Sequence, residues 1–192
     1  MIDPQSHGGG DLFSRLSYTG RGPEPLRANT CSAVRDMDFE ELRRRGVRYL
    51  VMDVDHTLVP FRGMDLDDAT VRFLNALWER GVIEGMYLAS NSSRDLSGIA
   101  GAIGAQVVPV RGLERKPRRA YFRRVLRTIG CRPEQAVMVG DKLLFDVWGG
   151  NRAGLVTVLV QPIGPDQWFD RVVRIRFWER MVLRRWGFRR DR

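Results

Sequence analysis

Several stretches of this chain are almost continuously apolar, and they end in polar residues. Residues 47–55, 85–93 and 136–141 show this pattern most clearly. Strands that are apolar at successive positions are covered on both faces, which is typical of parallel sheets with helices on each side. Amphipathic segments separate these runs. The sequence therefore predicts an open, doubly wound, mostly parallel α/β sheet. The predicted strands are 47–55, 85–93, 105–110, 136–141 and 155–163, and the predicted helices are 38–46, 67–81, 93–104, 116–130 and 143–154.

Composition divides the chain into three parts. Residues 1–25 are rich in glycine, proline and polar side chains, which predicts a flexible N-terminal arm. Residues 26–167 contain the alternating elements and form the predicted domain. Residues 168–192 form an Arg- and aromatic-rich C-terminal segment with an apolar stripe, which favours a helix, although its alternating part would also suit a strand.

The positive charge is concentrated in that C-terminal segment. The whole chain has a net charge of +9, and nine arginines against three acids give residues 168–192 a charge of +6. Such a segment could bind an anionic membrane surface, where basic residues contribute and aromatic residues anchor. It could equally pack on its own domain. Binding to nucleic acid through arginine and stacking aromatics is a less favoured alternative.

Polar side chains follow several of the predicted strands, at one edge of the sheet. Ligands of open α/β sheets bind beyond the carboxyl ends of the strands. Two nearby carboxylates next to an apolar strand are costly unless a cation neutralises them, and a hard cation such as Mg²⁺ prefers oxygen ligands. We therefore expect a magnesium-dependent site at this edge. Its candidate residues are Asp53, Asp55, Ser90, Asn91, Lys116 and Asp141.

Each candidate also has a purely structural explanation. The Ser90–Asn91 pair could cap the next helix, and capping is compatible with phosphate binding. Lys116 could be a solvated charge, although it is one of only two lysines beside 30 arginines. Asp146 could lie on the surface of a helix. His56 is expected to be a local hydrogen-bond partner rather than a metal ligand.

The order of these residues resembles the haloacid dehalogenase (HAD) superfamily of phosphotransferases. Its first motif, DxDxT, matches Asp53, Asp55 and Thr57, and its second motif, a Ser or Thr after an apolar strand, matches Ser90. Lys116 matches the lysine of the third motif. The fourth motif, GDxxxxD, matches Gly140, Asp141 and Asp146. ERKP and VGDKLLFDVWGGNRAG resemble, more narrowly, the capless subclass III branch that includes YqeG-type proteins and phosphatidylglycerophosphate phosphatases.

The resemblance implies a role for each matched residue. Asp53 would be the nucleophile that forms an aspartyl-phosphate, and Asp55 the general acid and base. Asp53, Asp141 and the backbone carbonyl of Asp55 would hold Mg²⁺. Ser90, Asn91 and Lys116 would bind the phosphoryl oxygens, with Lys116 also contacting the nucleophile. Thr57 and Asp146 would support the site, Asp146 through the metal or through Lys116.

The spacing of the motifs leaves no room for a cap domain. Only 34 residues separate Asp55 from Ser90, and 25 separate Ser90 from Lys116. An open site suits a large phosphorylated substrate, and a lipid headgroup, phosphatidylglycerophosphate first, is the preferred expectation. Phosphatases of soluble phosphomonoesters or phosphoproteins, and an RNA- or protein-binding module on the same fold, remain alternatives. A neighbouring subunit could also act as the lid.

The termini and apolar runs bear on location. The first residues lack a basic start followed by an apolar stretch, so no secretory signal is predicted. No run approaches the ~20 apolar residues of a membrane helix. We therefore expect a cytoplasmic protein, peripheral at the inner face of the membrane if the C-terminal segment binds lipid.

Overall fold

The computed structural model describes residues 29–164, which form a six-stranded sheet in which every pair of neighbouring strands is parallel. The strand order is β1-β6-β5-β2-β3-β4. The doubly wound parallel α/β prediction is thus confirmed. The predicted arm at 1–25 and the C-terminal segment at 168–192 lie outside the described residues, so their proposed structures stay predictions.

The elements follow one another in the alternating order that the sequence predicts. The strands are β1 (Asn29–Cys31), β2 (Tyr49–Met52), β3 (Gly85–Leu88), β4 (Gln106–Val107), β5 (Ala136–Gly140) and β6 (Val156–Val160). The α-helices are α1 (Phe39–Arg44), α2 (Asp68–Glu79), α3 (Ser97–Ala102), α4 (Arg119–Ile129) and α5 (Gly149–Ala153). Short 3-10 turns cover Val34–Asp36 and Pro133–Gln135, and a π-helical turn covers Leu143–Trp148.

Local sequence signals explain where the longer helices begin and end. The Asp67 side chain caps α2 by accepting a 2.9 Å hydrogen bond from the Thr70 backbone N–H. Asp38 caps α1 in the same way. Helix α4 ends at Gly130, whose φ of 77° lies in the left-handed region that glycine adopts without steric cost.

The sheet separates two apolar cores. One core holds side chains of α1, α2 and α3, such as Leu42, Leu74 and Ile99. The other holds the inner face of α4, where Tyr121 and Phe122 are fully buried. Strands β3 and β5 are buried at every position, which explains their continuous apolar sequence.

Three details differ from the sequence expectation. The edge strand β1 was not predicted, because the polar tripeptide Asn29–Cys31 carries no apolar run. Strand β4 has two residues rather than the predicted six. The predicted helix 143–154 begins as a π-helical turn, a form that occurs often at functional sites.

The connections between motifs are short, as their spacing requires. A loop and α2 fill the chain from β2 to β3. The chain from β3 to α4 contains α3 and β4, with one loop before α3 and another after β4. Within the described range, no inserted cap domain occurs in either connection. None of the helices in residues 29–164 is both long and apolar enough to cross a bilayer.

Candidate active site

The site begins where the central strand β2 ends. Asp53 directly follows β2, and its backbone N–H donates a 2.9 Å hydrogen bond to the Val139 carbonyl of β5. The next residues turn sharply, since the His56 and Thr57 N–H groups bond to the Val59 and Val54 carbonyls. Asp53 as a whole residue remains only 5% exposed at this carboxyl edge.

Lys116 brings two of the predicted acids together. Its Nζ lies 2.9 Å from Asp53 Oδ1 and 2.6 Å from Asp146 Oδ1. All three side chains are almost fully buried, with Lys116 only 2% exposed. Asp146 thus contacts Lys116 directly, while its predicted role, in the metal shell or in orienting Lys116, stays a prediction. The solvated interpretation of Lys116 is wrong, because the side chain is buried.

Asp141 joins the same cluster from the end of β5. One carboxylate oxygen each of Asp53, Asp141 and Asp146 lie within 4.8 Å of one another. The Thr57 hydroxyl donates a long hydrogen bond, 3.4 Å, to Asp141 Oδ1. We call Asp53, Lys116, Asp141 and Asp146 the inner cluster. It contains three carboxylates and one ammonium group.

The electrostatics of the inner cluster favour an additional cation. Burial raises the pKa of Asp146 to about 7, and the charges of Asp53 and Asp141 act in the same direction, while Lys116 opposes them. Burial would lower the pKa of Lys116, but Asp146 and Asp53 outweigh it and leave that pKa above its ordinary value. Carboxylate oxygens that repel one another in a buried place fit a hard divalent cation such as Mg²⁺.

A glycine makes room for Asp146. A Cβ on Gly140 would overlap the Asp146 carboxyl group. That carboxylate turns back toward β5 because its Oδ2 accepts a 3.0 Å hydrogen bond from the Lys142 backbone N–H. The spacing of the GDxxxxD motif therefore has a steric reason here, as the first Gly and the last Asp occupy adjoining space.

Asp55 has a different environment from the inner cluster. Its Oδ1 lies 2.7 Å from Arg94 Nη1 and accepts a 2.8 Å hydrogen bond from the Arg62 backbone N–H. Arg94 also donates to the Gly63 carbonyl at 3.2 Å, so it links the β3 loop to the β2 loop. We call Asp55 and Arg94 the outer pair. Its side chains are 14% and 17% exposed.

The Ser90 and Asn91 side chains organise the loop after β3. Ser90 is 4% exposed, and its Oγ accepts a 3.1 Å hydrogen bond from the Ser92 N–H. The Asn91 side chain binds the backbone of Lys116 twice, accepting from its N–H at 2.8 Å and donating to its carbonyl at 2.9 Å. Asn91 thus positions the Lys116 backbone. Phosphate binding by Ser90 and by the Asn91 N–H stays a prediction.

His56 makes the hydrogen bond expected of it, though not with a local partner. Its Nδ1 lies 2.9 Å from the Ile163 carbonyl oxygen, and the Ile163 N–H donates to the His56 carbonyl at 2.7 Å. The ring also stacks on Phe61 at a centroid distance of 5.9 Å. His56 therefore ties the DxDxT turn to the chain that follows β6.

Sequence reasoning missed Arg94 and the steric role of Gly140. Arg94 lies four residues after Ser90, but one arginine among 30 carries no distinguishing signal. The remaining predicted residues meet at one edge of the sheet, with Asp53, Lys116, Asp141 and Asp146 in direct proximity.

Comparisons with known proteins agree with this geometry. A HAD-hydrolase-like family model matches residues 113–162. The probable phosphatase YqeG of Bacillus subtilis is 31% identical over 130 residues, which cover 68% of this chain and 73% of YqeG. The chloroplastic phosphatidylglycerophosphate phosphatase 1 of Chlamydomonas reinhardtii is 30% identical over 167 residues, covering 80% of this chain but 59% of that enzyme.

Solved structures support the fold alone. The crystal structure of an uncharacterized protein from Listeria monocytogenes serotype 4b matches with a TM-score of 0.50 at 20% identity, covering 64% of this chain and 84% of that one. The family follows from the sequence match to YqeG and from the family model over the third and fourth motifs. The chain belongs to the haloacid dehalogenase family and is a HAD-type phosphatase.

Proposed function

We infer that this chain hydrolyses phosphomonoesters with the help of Mg²⁺, through an aspartyl-phosphate on Asp53. The inner cluster is the observation that carries this proposal. It places a carboxylate, Asp53, within 2.9 Å of a buried lysine and beside two further acids. A carboxylate can act as a nucleophile toward phosphorus when a cation offsets its repulsion from the phosphate.

Asp53, Asp141 and the backbone carbonyl of Asp55 would hold the Mg²⁺ ion, with Asp146 beside them. When bound, the ion would neutralise the carboxylates and polarise the phosphoryl oxygens. Thr57 supports this arrangement through its hydrogen bond to Asp141. Asp146 keeps its place through Lys116 Nζ and the Lys142 N–H.

In the first step, a carboxylate oxygen of Asp53 attacks phosphorus, and the bond from phosphorus to the ester oxygen breaks. Asp55 gives its proton to the departing oxygen, so the alcohol leaves neutral. Ser90, the Asn91 N–H and Lys116 bind the phosphoryl oxygens. Lys116 is suited to this because its compact charge already lies against Asp53.

In the second step, water attacks the phosphorus atom of the aspartyl-phosphate. Asp55 accepts a proton from that water, the bond between phosphorus and Asp53 breaks, and inorganic phosphate is released. The ion pair with Arg94 stabilises the charged carboxylate that this step requires. By accepting the proton of the water, Asp55 returns to the protonated form that the next turnover needs.

The proposed substrate is a lipid headgroup phosphomonoester such as that of phosphatidylglycerophosphate. Two observations support it: the short connections between motifs, which leave the site without a cap in the described residues, and the similarity to the Chlamydomonas reinhardtii enzyme. A bulky substrate can approach a site whose covering loops are short. The basic C-terminal segment adds attraction to an anionic surface.

The test is Mg²⁺-dependent phosphate release from phosphatidylglycerophosphate in mixed micelles. Glucose phosphates, nucleotides and p-nitrophenyl phosphate run beside it, with Asp53→Asn as the blank. A strong preference for the lipid supports the substrate proposal. Turnover of soluble esters alone keeps the mechanism and rejects the lipid substrate. A folded, Mg²⁺-binding protein that is inactive on every ester would contradict the mechanism and favour a binding module.

A further inference from the structure

Most of the exposed large apolar side chains lie at the same edge as the site. In the described part of the chain, six such side chains are between 38% and 73% exposed. Trp78 lies in the last turn of α2, which leads to the amino end of β3, so it lies at the opposite edge. The other five lie at or after the carboxyl ends of β2, β4 and β5, and Leu144 among them is in the π-helical turn after β5: Phe61, Met64, Val107, Leu113 and Leu144.

The loop before Lys116 has the most exposed of these side chains. Leu113 is 73% exposed, and the exposed residues Arg111 and Arg115 lie two positions away on each side. The loop is closed by a 2.9 Å hydrogen bond from the Glu114 N–H to the Arg111 carbonyl. The Glu114 carboxylate lies 3.0 Å from Arg124 Nη1 of α4, so the acid of this loop is directed toward the domain.

Residues 60–64 of the loop after β2 repeat the combination of exposed apolar and arginine side chains, and the exposed Asp65 follows them. Phe61 and Met64 are each 46% exposed. Arg62 is also exposed, and its guanidinium carbon lies 5.7 Å from the Phe61 ring centroid. Strands β2 and β4 flank β3, so the carboxyl ends of the strands from which the two loops follow lie about 10 Å apart. Two loops on one edge thus each combine an exposed apolar side chain with exposed arginine.

We propose that these two loops, residues 60–64 and 111–115, dock the active-site edge on an anionic phospholipid surface. Apolar tips bury between the headgroups and the acyl chains, while neighbouring arginines bind lipid phosphates. The surface suits a bilayer better than a protein partner, because exposed arginines lie near the exposed apolar residues in both loops. A fluid bilayer needs no complementary shape at such separate points.

This inference deepens the proposed function, and rests on it, because it presents the Asp53 edge to the layer that would hold the lipid substrate. The docked edge contains the inner cluster, the outer pair and the Ser90 loop, since all of them follow carboxyl ends of parallel strands. A headgroup phosphate would then reach the site without the lipid leaving the membrane.

The decisive variant is Leu113→Asp in the full chain, with Trp78→Asp as the matched control at the opposite edge. Co-sedimentation measures binding to vesicles of phosphatidylcholine with and without phosphatidylglycerol. We expect Leu113→Asp to weaken partitioning into the anionic vesicles about tenfold, the loss expected when one apolar side chain no longer inserts. Trp78→Asp should bind like the wild type. The C-terminal segment is present in every protein compared, so its contribution cancels.

Charge and catalysis give two further readouts. Arg111→Gln should weaken binding about fivefold to anionic vesicles and leave binding to pure phosphatidylcholine unchanged. Leu113→Asp should hydrolyse p-nitrophenyl phosphate at the wild-type rate, because Leu113 has no part in the chemistry. Its turnover of vesicle-borne phosphatidylglycerophosphate should fall in proportion to its binding.

The results separate this proposal from the proposed function. Equal partitioning of wild type, Leu113→Asp and Trp78→Asp would overturn the docking surface, even if lipid is hydrolysed. Leu113-dependent vesicle binding by a protein that hydrolyses only soluble esters would support the surface and reject the lipid substrate. An equal loss of vesicle binding in Leu113→Asp and Trp78→Asp would also overturn the docking surface. So would a Leu113→Asp protein that binds vesicles like the wild type but binds RNA more weakly.

Discussion

The inner cluster and the outer pair solve the problem of buried charge in different ways. In the outer pair one carboxylate, Asp55, meets one guanidinium at 2.7 Å. In the inner cluster one lysine lies between Asp53 and Asp146, and a carboxylate oxygen of Asp141 lies within 4.8 Å of theirs. The outer pair is balanced by protein groups alone, whereas the inner cluster has an excess of negative charge in a more deeply buried place.

The difference indicates which acids need a ligand. A buried carboxylate without a cation is costly, so the excess charge of the inner cluster favours a divalent ion. The outer pair needs no metal ion, because Arg94 of the β3 loop neutralises Asp55. Hydrogen bonds from the β2 and β3 loops hold the Asp55 carboxylate in place. A change in the inner cluster should therefore alter metal binding, stability and turnover together, whereas a change in the outer pair should alter turnover alone.

The largest effect is expected from Asp53→Asn, which removes the nucleophile from the inner cluster. Turnover should fall by about four orders of magnitude, while the fold persists, because the amide has nearly the same shape. Phosphate release and circular dichroism measure the two outcomes. Asp65→Asn, an exposed carboxylate of the β2 loop, is the control. Substantial activity in Asp53→Asn would show that Asp53 is not the nucleophile.

Lys116→Met should destabilise the protein most when no metal is present. Asp53 and Asp146 would then lose the lysine that lies between them, and removal of one partner from a buried ion pair typically costs 3–5 kcal/mol, so a loss of about 3 kcal/mol is expected. Urea unfolding in EDTA and in Mg²⁺ measures it, and Mg²⁺ should restore part of the loss. Lys142→Met, at the other lysine, is the control. An equal loss in both buffers would contradict a shared role of Lys116 and the metal.

Gly140→Ala tests the inner cluster through its shape rather than its charge. The new methyl group would meet the Asp146 carboxyl, so Asp146 or β5 must shift, at a cost of about 1–3 kcal/mol in unfolding free energy. Mg²⁺ affinity, measured by calorimetry, should fall as well. Gly98→Ala in α3 is the control, since no atom lies within 4 Å of its added Cβ. Unchanged Mg²⁺ affinity in Gly140→Ala would show that the position of Asp146 does not affect metal binding.

The smallest effect is expected from Arg94→Gln, which breaks the outer pair. Asp55 would lose its ion pair, and the Gly63 carbonyl would lose a donor, so kcat should fall about tenfold from the misplaced acid and base. Mg²⁺ affinity should stay at the wild-type value. Arg80→Gln, whose exposed partner is Glu40, provides the control. Weakened Mg²⁺ binding in Arg94→Gln would show that the outer pair, like the inner cluster, contributes to metal binding.

The sequence could predict the inner cluster because its members follow apolar strands or match spaced motifs. Asp53 and Asp141 come directly after buried runs, and parallel strands bring such ends together. Lys116 was distinguished by being one of two lysines. Arg94 could not be found in this way, since its partner lies across the sheet edge and arginine is common throughout. Strand β1 was missed because its three residues become a strand only by pairing with β6, far along the chain.

That pairing of β1 with β6 also constrains the order in which the molecule can be completed. During synthesis Asn29–Cys31 leaves the ribosome before any other described strand, yet its partner is the last strand to be made. Until Val156–Val160 emerges, β1 has no strand to pair with, and β5 forms the open border of a partial sheet. Unpaired strand borders attract other chains, so the nascent protein exposes the border of the long, buried strand β5 until β6 covers it, and only the short strands β1 and β4 remain at the edges of the finished sheet.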